Sequence, residues 1–332
     1  MNFCIVGTGA VGAIIAVQLT RAGHQVSVVA RGPHYDAIGE NGLSLVSDAG
    51  ENTVRVQVSR QGEGLTKPDA IIVAVKAISL ASTAPIVANV AAEDTPIAFA
   101  LNGLPWWYPY SRKVKERIEK GGHRMPMLDF LDPDNVLAEQ VGGMHRTIGC
   151  VVYAAGRMLR PGVVQSFQVD HRKVIFGEIT GAVSERVSAI AEAFNGTELE
   201  GSAVPDIDKA VWRKLVTNVA QSPICCLTGQ PMNVLGRSRD LLQMAQSLMR
   251  EVSATAAAWG TDVGIDPETH FGERSLNSPH KPSMLQDLEA GRQTEIDALL
   301  RAVQECARSA RVETPTLDSL TALLTERLPP AN

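Results

Sequence analysis

An α/β N-terminal domain, with a parallel sheet and an antiparallel extension, followed by an all-α C-terminal domain is the fold class this sequence predicts. Three observations predict it. The chain opens on an apolar run, 3–6, that enters Gly7-Thr8-Gly9-Ala10-Val11-Gly12 and continues as a helical apolar pattern over 13–19. Strand, G-x-G-x-x-G turn and helix in that order make the dinucleotide-binding βα unit of Rossmann type. Apolar runs of strand length that end in polar turns recur at 70–75 and 97–101, as expected of parallel strands buried on both faces. From about residue 204 onward the patterns read as helical. The expected division is 1–203 for the dinucleotide-binding domain and 204–332 for a helical substrate domain.

Size and composition narrow the function classes. A chain of 332 residues is long for a single core and divides naturally into two. Its formal net charge of -5 gives no basic footprint, which argues against nucleic acid as a partner. The longest apolar runs fall far short of the roughly 20 residues of a spanning helix, so no membrane partner is expected. The N-terminus is committed to the glycine turn and does not read as a signal peptide. Five scattered cysteines without C-x-x-C spacing argue against a disulfide framework and against a metal site. A reduced, cytoplasmic protein is expected, and a homodimer is the assembly left open.

The three glycines of the motif differ in what they do. Gly7 makes the tight turn, Gly9 lets backbone approach a pyrophosphate, and Gly12 lets the helix pack on the strand. The helix N-terminus offers amides to phosphate, so Gly7 to Gly12 are cofactor-binding candidates. The second strand, 25–30, ends in Ala30-Arg31 where an NAD-binding unit carries Asp or Glu. An Arg there can pair with a 2′-phosphate, so the sequence favours NADPH, with a solvated surface Arg as the plain alternative. Residues 54–58 alternate as a strand. Lys76 closes the run 69–75 at the presumed ligand edge, or is only a solvated strand end. Asn102-Gly103 follows the run 97–101 as a candidate site residue or a plain turn.

Leu104 to Tyr110 holds two of the four Trp and two of the four Tyr, as a lid or as an apolar plug. The charged run 112–120 reads as a solvated helical face, and 121–143 as a long connection. Runs 148–154, 163–169 and 174–176 read as strands joined by hairpins, giving the antiparallel extension. Residues 182–194 read as a helix. In the helical part, Lys214, Asn218 and Ser222 recur every four residues on one helix side, beside an apolar stripe of Val211, Leu215 and Val219. Spacing alone also allows a solvated face, and Pro223 is expected to end or kink that helix. A long helix is expected over 241–259. Ser283 with Gln286 makes a capping-box signature, and Glu295, three turns on, reads by itself as a surface carboxylate.

Taken together, the glycine motif, Lys76, Asn102-Gly103, Trp212-Arg213-Lys214 with Asn218, and Ser283-Met284-Leu285-Gln286-Asp287 followed by Thr294-Glu295-Ile296-Asp297 resemble the ketopantoate reductase (2-dehydropantoate 2-reductase) family over nearly the whole chain. The resemblance implies a Rossmann-type domain, an all-helical domain and an active site between them. It implies Lys214 as the catalytic lysine, Glu295 as the glutamate that engages a substrate hydroxyl, Ser283 as a carboxylate-binding serine and Asn218 as a substrate-contacting asparagine. It places Asn102 and Lys76 in the cofactor-proximal pocket. Where the family has a second Asn one turn after the first, this chain has Ser222, and the aromatic stretch at 106–108 with the long connection after it also departs from the smallest members.

The implied reaction is NADPH-dependent reduction of 2-dehydropantoate to pantoate for pantothenate biosynthesis. Charge developing on the carbonyl oxygen calls for a nearby ammonium, and Lys214 fits as general acid. Reduction of a different 2-oxo acid or an imine is the alternative on the same scaffold. A non-catalytic NADP-binding sensor is a third, disfavoured because a sensor has no need of Lys214, Asn218, Ser283 and Glu295 together.

Overall fold

The computed structural model describes residues 1–48, 50–141, 143–167 and 172–328. The chain divides into two compact units, Met1–Leu101 with Asp132–Ile207, and Asn102–Leu131 with Asp208–Asn332. The first carries twelve strands among its described residues: β1 (Asn2–Val6), β2 (Gln25–Val29), β3 (Leu43–Ser47), β4 (Gly50–Val54), β5 (Gln57–Ser59), β6 (Ala70–Val73), β7 (Ile97–Ala100), β8 (Thr147–Tyr153), β9 (Ala155–Arg160), β10 (Val163–Phe167), β11 (Lys173–Glu178) and β12 (Glu200–Ala203). Its helices are α1 (Ala10–Arg21), α2 (Gly32–Asn41), α3 (Ala84–Val90), α5 (Val136–Gln140) and α6 (Glu185–Glu192), with α4 (Arg112–Glu119) in the second unit.

Eight strands form one sheet in the order β12-β11-β8-β7-β6-β1-β2-β5. Its pairs are parallel except β8 with β11, where Val152 faces Val174 in an antiparallel register. The antiparallel extension is therefore real, but it uses only two of the three predicted runs. The third, β10, leaves this sheet and joins a second one, in the order β4-β3-β10-β9. The predicted end of that run at Val169, and part of the turn after it, lie outside the described residues.

The second sheet explains helix α1. Every residue of α1 from Gly12 to Leu19 is buried, including Gln18, because the helix packs on β1 and β2 on one side and on β3, β4, β9 and β10 on the other. A helix apolar all round is buried on all sides. The pattern Ala-Ile-Ile-Ala-Val-Gln-Leu therefore carried the signal for a second layer. The predicted strand 54–58 is split between the end of β4 and β5, and a hairpin over 43–54 stands where no strands were expected.

The second unit adds α7 (Ile207–Thr228), α8 (Val234–Arg237), α9 (Arg239–Ala258), α10 (Glu273–Leu276), α11 (Ser283–Glu289), a π-helical turn Asp297–Arg301, α12 (Ala302–Ala310) and α13 (Pro315–Arg327). Pro223 does not end α7, which runs five residues past it. Ile224, Cys225 and Cys226 are at most 1% exposed just beyond the proline. Burying three such side chains at about 1.5–3 kcal/mol for a large one offsets the roughly 3 kcal/mol that an interior proline costs.

The aromatic stretch is a plug. Trp106, Trp107 and Tyr108 are buried, and the Trp212 indole N–H of α7 donates to the Tyr108 hydroxyl at 3.0 Å with the rings edge to face at 5.7 Å. Burial drives the Tyr108 phenol well above its ordinary pKa, so it stays a neutral acceptor. Replacing Tyr108 with Phe leaves a buried indole donor unpaired. Urea denaturation of Tyr108→Phe is expected to show a loss of about 1–3 kcal/mol.

Candidate functional site

Two clusters of candidate residues form, one in each unit. The first is the turn between β1 and α1. Gly7 has φ +93°, and a Cβ there would lie 2.4 Å from Val75 Cγ1. At Gly12 a Cβ would lie 2.0 Å from the Gly7 carbonyl oxygen. At Gly9, by contrast, it would meet nothing within 4 Å. The first and third glycines are thus demanded by the protein's own packing, while the middle one borders open space. The amides of Ala10, Val11 and Gly12 open α1, where backbone N–H groups have no partner inside the helix.

That open space is part of a cavity of about 430 Å³ walled by Gly7, Thr8, Gly9, Arg31, His34 and Met158, among others. Arg31 is exposed, with extended backbone, at the cap position before α2. Lys76 is half-buried past the end of β6, and the cavity wall takes Val75 and Ser79 from either side of it. Thr8 is 3% exposed, and its hydroxyl has no hydrogen-bond partner among the described residues. A glycine-bounded space, helix-start amides, an orphaned hydroxyl and an Arg fit a bound dinucleotide.

The packing difference between the glycines is testable. Gly12→Ala should destabilise by about 1–3 kcal/mol through overpacking. Gly9→Ala should stay within about 0.5 kcal/mol of the parent yet weaken binding of a nicotinamide dinucleotide. Thermal unfolding together with fluorescence titration separates the two.

The second cluster joins three distant stretches of sequence. The Lys214 ammonium on α7 donates to Asn102 Oδ1 at 2.8 Å, and Asn102 Nδ2 donates to Glu295 Oε2 at 3.4 Å. The partners fix the amide's orientation: an ammonium can only donate and a carboxylate can only accept, so the oxygen must face Lys214 and the nitrogen Glu295. Glu295 is 8% exposed, and the reading of it as a surface carboxylate fails. The spacing of three helical turns from Ser283 does not hold either, because α11 stops at Glu289 and Gly291 takes φ +63°. Glu295 stands two residues before the π-helical turn, with Ile296 between them.

That turn also sets the depth at which Asn102 sits. The Leu104 amide donates to the Ala298 carbonyl at 2.8 Å. Gly103 has φ +79°, and a Cβ on it would come within 2.4 Å of the same oxygen. Asn102 is thus the residue before a backbone contact that only glycine permits. Gly103→Ala should displace the 102–104 turn from Ala298 and cut turnover at least tenfold, because misplacing a positioned group by about 1 Å can cost up to about a hundredfold. Steady-state kinetics on Gly103→Ala checks this.

The remaining candidates are dispersed. Asn218 is half-buried one turn beyond Lys214, and Ser222 is buried one turn further. Ser283 is exposed as the first residue of α11; Pro282 occupies the cap position, without a side-chain cap bond. The capping-box reading of Ser283 is therefore wrong, since a residue already inside the helix cannot reach back as its cap. One residue that the sequence did not single out also matters here. His34 lines the cavity, and its spacing three residues past Arg31, on the first turn of a helix, was the only signal. Among the described residues no group of three or more His, Cys, Asp or Glu could hold a metal.

The family described as Ketopantoate reductase PanE/ApbA matches residues 3–181, and its C-terminal counterpart matches residues 206–327. A 2-dehydropantoate 2-reductase of Mesorhizobium japonicum is 35% identical over 325 residues, 98% of this chain and 97% of the relative. The chain belongs to the ketopantoate reductase family. Members of this ketopantoate reductase family are nicotinamide-dependent oxidoreductases that act on CH–OH groups. The structure of a 2-dehydropantoate 2-reductase from Methylococcus capsulatus superposes with a TM-score of 0.79 at 27% identity, covering 98% of this chain and 96% of that one. The same fold occurs in a D-mandelate dehydrogenase solved with NADH and anilino(oxo)acetate, with a TM-score of 0.81, 21% identity and 98% of both chains covered.

Proposed function

We propose that this ketopantoate reductase family member reduces the 2-oxo group of 2-dehydropantoate to the alcohol, pantoate, with NADPH as hydride donor and Lys214 as general acid. The observation that carries this reading is the hydrogen-bonded line Lys214–Asn102–Glu295. A reduced nicotinamide, when bound, supplies the hydride. The chain's own groups handle the oxygen and the proton. As the carbonyl carbon takes the hydride, negative charge collects on the oxygen, and the Lys214 ammonium stabilises it and passes a proton to it. Asn102 holds the ammonium through Oδ1 and ties it to the Glu295 carboxylate through Nδ2, so the acid is aimed before the substrate arrives. Asn218, on the same side of α7 about 6 Å of rise beyond Lys214, and Ser283 are the candidates for substrate carboxylate and tail.

The assignment of NADPH rests on the end of β2. Ala30-Arg31 replaces the carboxylate that would accept from a ribose hydroxyl and would repel a 2′-phosphate. Arg31 and the partly buried His34 both border the cavity beside it. Thiol chemistry is not needed, and burial disfavours it: the Cys4 thiol is pushed up to about 11 and Cys225 to about 12, so neither supplies a thiolate near neutral pH. Five free, buried cysteines are consistent with a reduced cytoplasmic location.

A second substrate reading is favoured by one residue. Ser222 is 5% exposed where the family's second Asn would be expected, and Ser is shorter and offers only a hydroxyl in place of an amide. A pocket altered there would suit another 2-oxo acid, as the D-mandelate dehydrogenase with the same fold illustrates for its own ligand.

Following NADPH absorbance with 2-dehydropantoate and a panel of other 2-oxo acids decides between these. The highest kcat/KM should fall on 2-dehydropantoate; a larger value for another acid moves the assignment to that acid, and binding without turnover on any of them refutes the enzymatic reading. Lys214→Ala should lower kcat by about 10²–10⁴ while the NADPH Kd stays within about twofold. Near-normal turnover of that variant would remove Lys214 from the role. Arg31→Ala should raise KM for NADPH and leave KM for NADH nearly unchanged, narrowing the preference between the two.

A further inference from the structure

His34 stands where three pieces of the dinucleotide cavity meet. It lies in the first turn of α2 and is half-buried. Its Nε2 bonds to the Thr8 carbonyl at 2.6 Å, and its Nδ1 bonds to the Gly162 amide at 2.8 Å. The partners settle the tautomer. An amide N–H can only donate, so Nδ1 must be the bare nitrogen; a carbonyl can only accept, so the proton sits on Nε2. Only a neutral imidazole satisfies both ends, because an imidazolium would turn one N–H against another. Burial acts in the same direction, holding the His34 pKa below its ordinary value despite the bond to Thr8.

Each bond reaches a cavity wall. On one side, the Thr8 carbonyl and the Gly9 amide belong to one planar trans peptide, with N–H and C=O pointing oppositely. Anchoring the carbonyl on His34 therefore fixes the direction of the Gly9 N–H, in the turn whose amides would face phosphate. On the other side, Gly162 is in the β9–β10 hairpin, which also puts Met158 and Pro161 into the cavity wall. Gly162 has φ +78°, its carbonyl accepts from Ser44 at 2.8 Å, and a Cβ on it would stand 3.2 Å from the Ala37 Cβ of α2. Met158 is 40% exposed, an apolar side chain at the cavity rim.

We propose that His34 is a positioning residue of the cofactor site, a neutral strut that sets the Thr8–Gly9 peptide and holds the hairpin residues Met158 and Pro161 as an apolar wall against the bound dinucleotide. This rests on the reading of the glycine-turn cavity as the NADPH site. It assigns a cofactor role to the second sheet, which the glycine motif does not contain.

The two bonds can be removed separately. Asn places an acceptor near the position of Nδ1 but cannot reach Thr8; Gln places a donor near Nε2 but cannot keep the Gly162 bond in the same pose. Three variants, His34→Ala, His34→Asn and His34→Gln, are compared with the parent by two readouts. Amide hydrogen exchange on the ligand-free protein should speed up at 158–162 in the Ala and Gln variants, and at 7–10 in the Ala and Asn variants. NADPH fluorescence titration should show a Kd raised about tenfold in His34→Ala, with Asn and Gln in between. The loss should fall on KM for NADPH, while kcat at saturation changes less than about threefold.

If the parent binds NADPH and the variants bind it within about twofold, the positioning role is overturned. Unchanged exchange at both segments in His34→Ala overturns the strut. A parent protein that binds no NADPH, with exchange altered as expected, overturns the reading of the cavity and the cofactor role with it. Should His34→Ala fail to fold, the Asn and Gln pair carries the same comparison.

Discussion

The first unit depends on the burial of α1 between two sheets. A helix clamped on both sides cannot shift to relieve a clash, so the turn that feeds it must be made from residues that fit the space as given. Gly12 lies against the Gly7 carbonyl with no room for a methyl group, and the start of α1 is fixed to the end of β1 within that tolerance. The amides that open α1 inherit their positions from this packing. In an interior packed like an organic crystal, such rigidity follows directly from the absence of slack. The second sheet is thus more than decoration on the dinucleotide fold: it supplies the far side of the clamp and, through the β9–β10 hairpin, part of the cavity wall.

In the second unit the controlling element is a single amide. Asn102 can satisfy Lys214 and Glu295 only in one orientation, and it is held at the required depth by the backbone contact of the next two residues with Ala298. The π-helical turn matters because the Ala298 carbonyl that receives the Leu104 amide belongs to it. Such turns are rare in general and concentrate where function needs an irregular backbone. The arrangement joins a turn, the middle of a long helix and the start of an irregular one, so no local segment could produce it alone.

The fold was legible where local pattern and burial agree. The strand, glycine turn and helix at the N-terminus, the parallel runs into β6 and β7, and the helical character beyond residue 207 all read directly from periodicity. Local pattern failed where partners come from far away. Strand β4 (Gly50–Val54) is polar enough to pass for a loop, β9 is largely exposed, β3 is only five residues long, and β10 could not announce that it pairs with β3 instead of β8. Pro223 has a clear local preference to stop a helix, but packing of the residues after it carries the helix through. Lys214, Asn102 and Glu295 were each nameable, through the family resemblance, but their hydrogen-bond line was not, since 193 positions separate Asn102 from Glu295. His34 gave only the weak signal of its spacing from Arg31, because both its hydrogen-bond partners are backbone groups, which leave no trace in side-chain identity.

The chain passes between the two compact units at three places, after Leu101, after Leu131 and after Ile207. The helical unit therefore is not a cassette that one splice could exchange for another. Residues 102–131 carry the plug that Trp212 packs on, and they are synthesised about a hundred residues before the helix that receives them. During synthesis this aromatic segment has to wait, uncovered, for its partner to emerge. Recombination that shuffles catalytic domains among relatives must cut on both sides of the plug or leave a hole beside α7. Inheritance of the unit that carries Lys214 is accordingly tied to inheritance of Asn102, which travels on the same excursion of the chain.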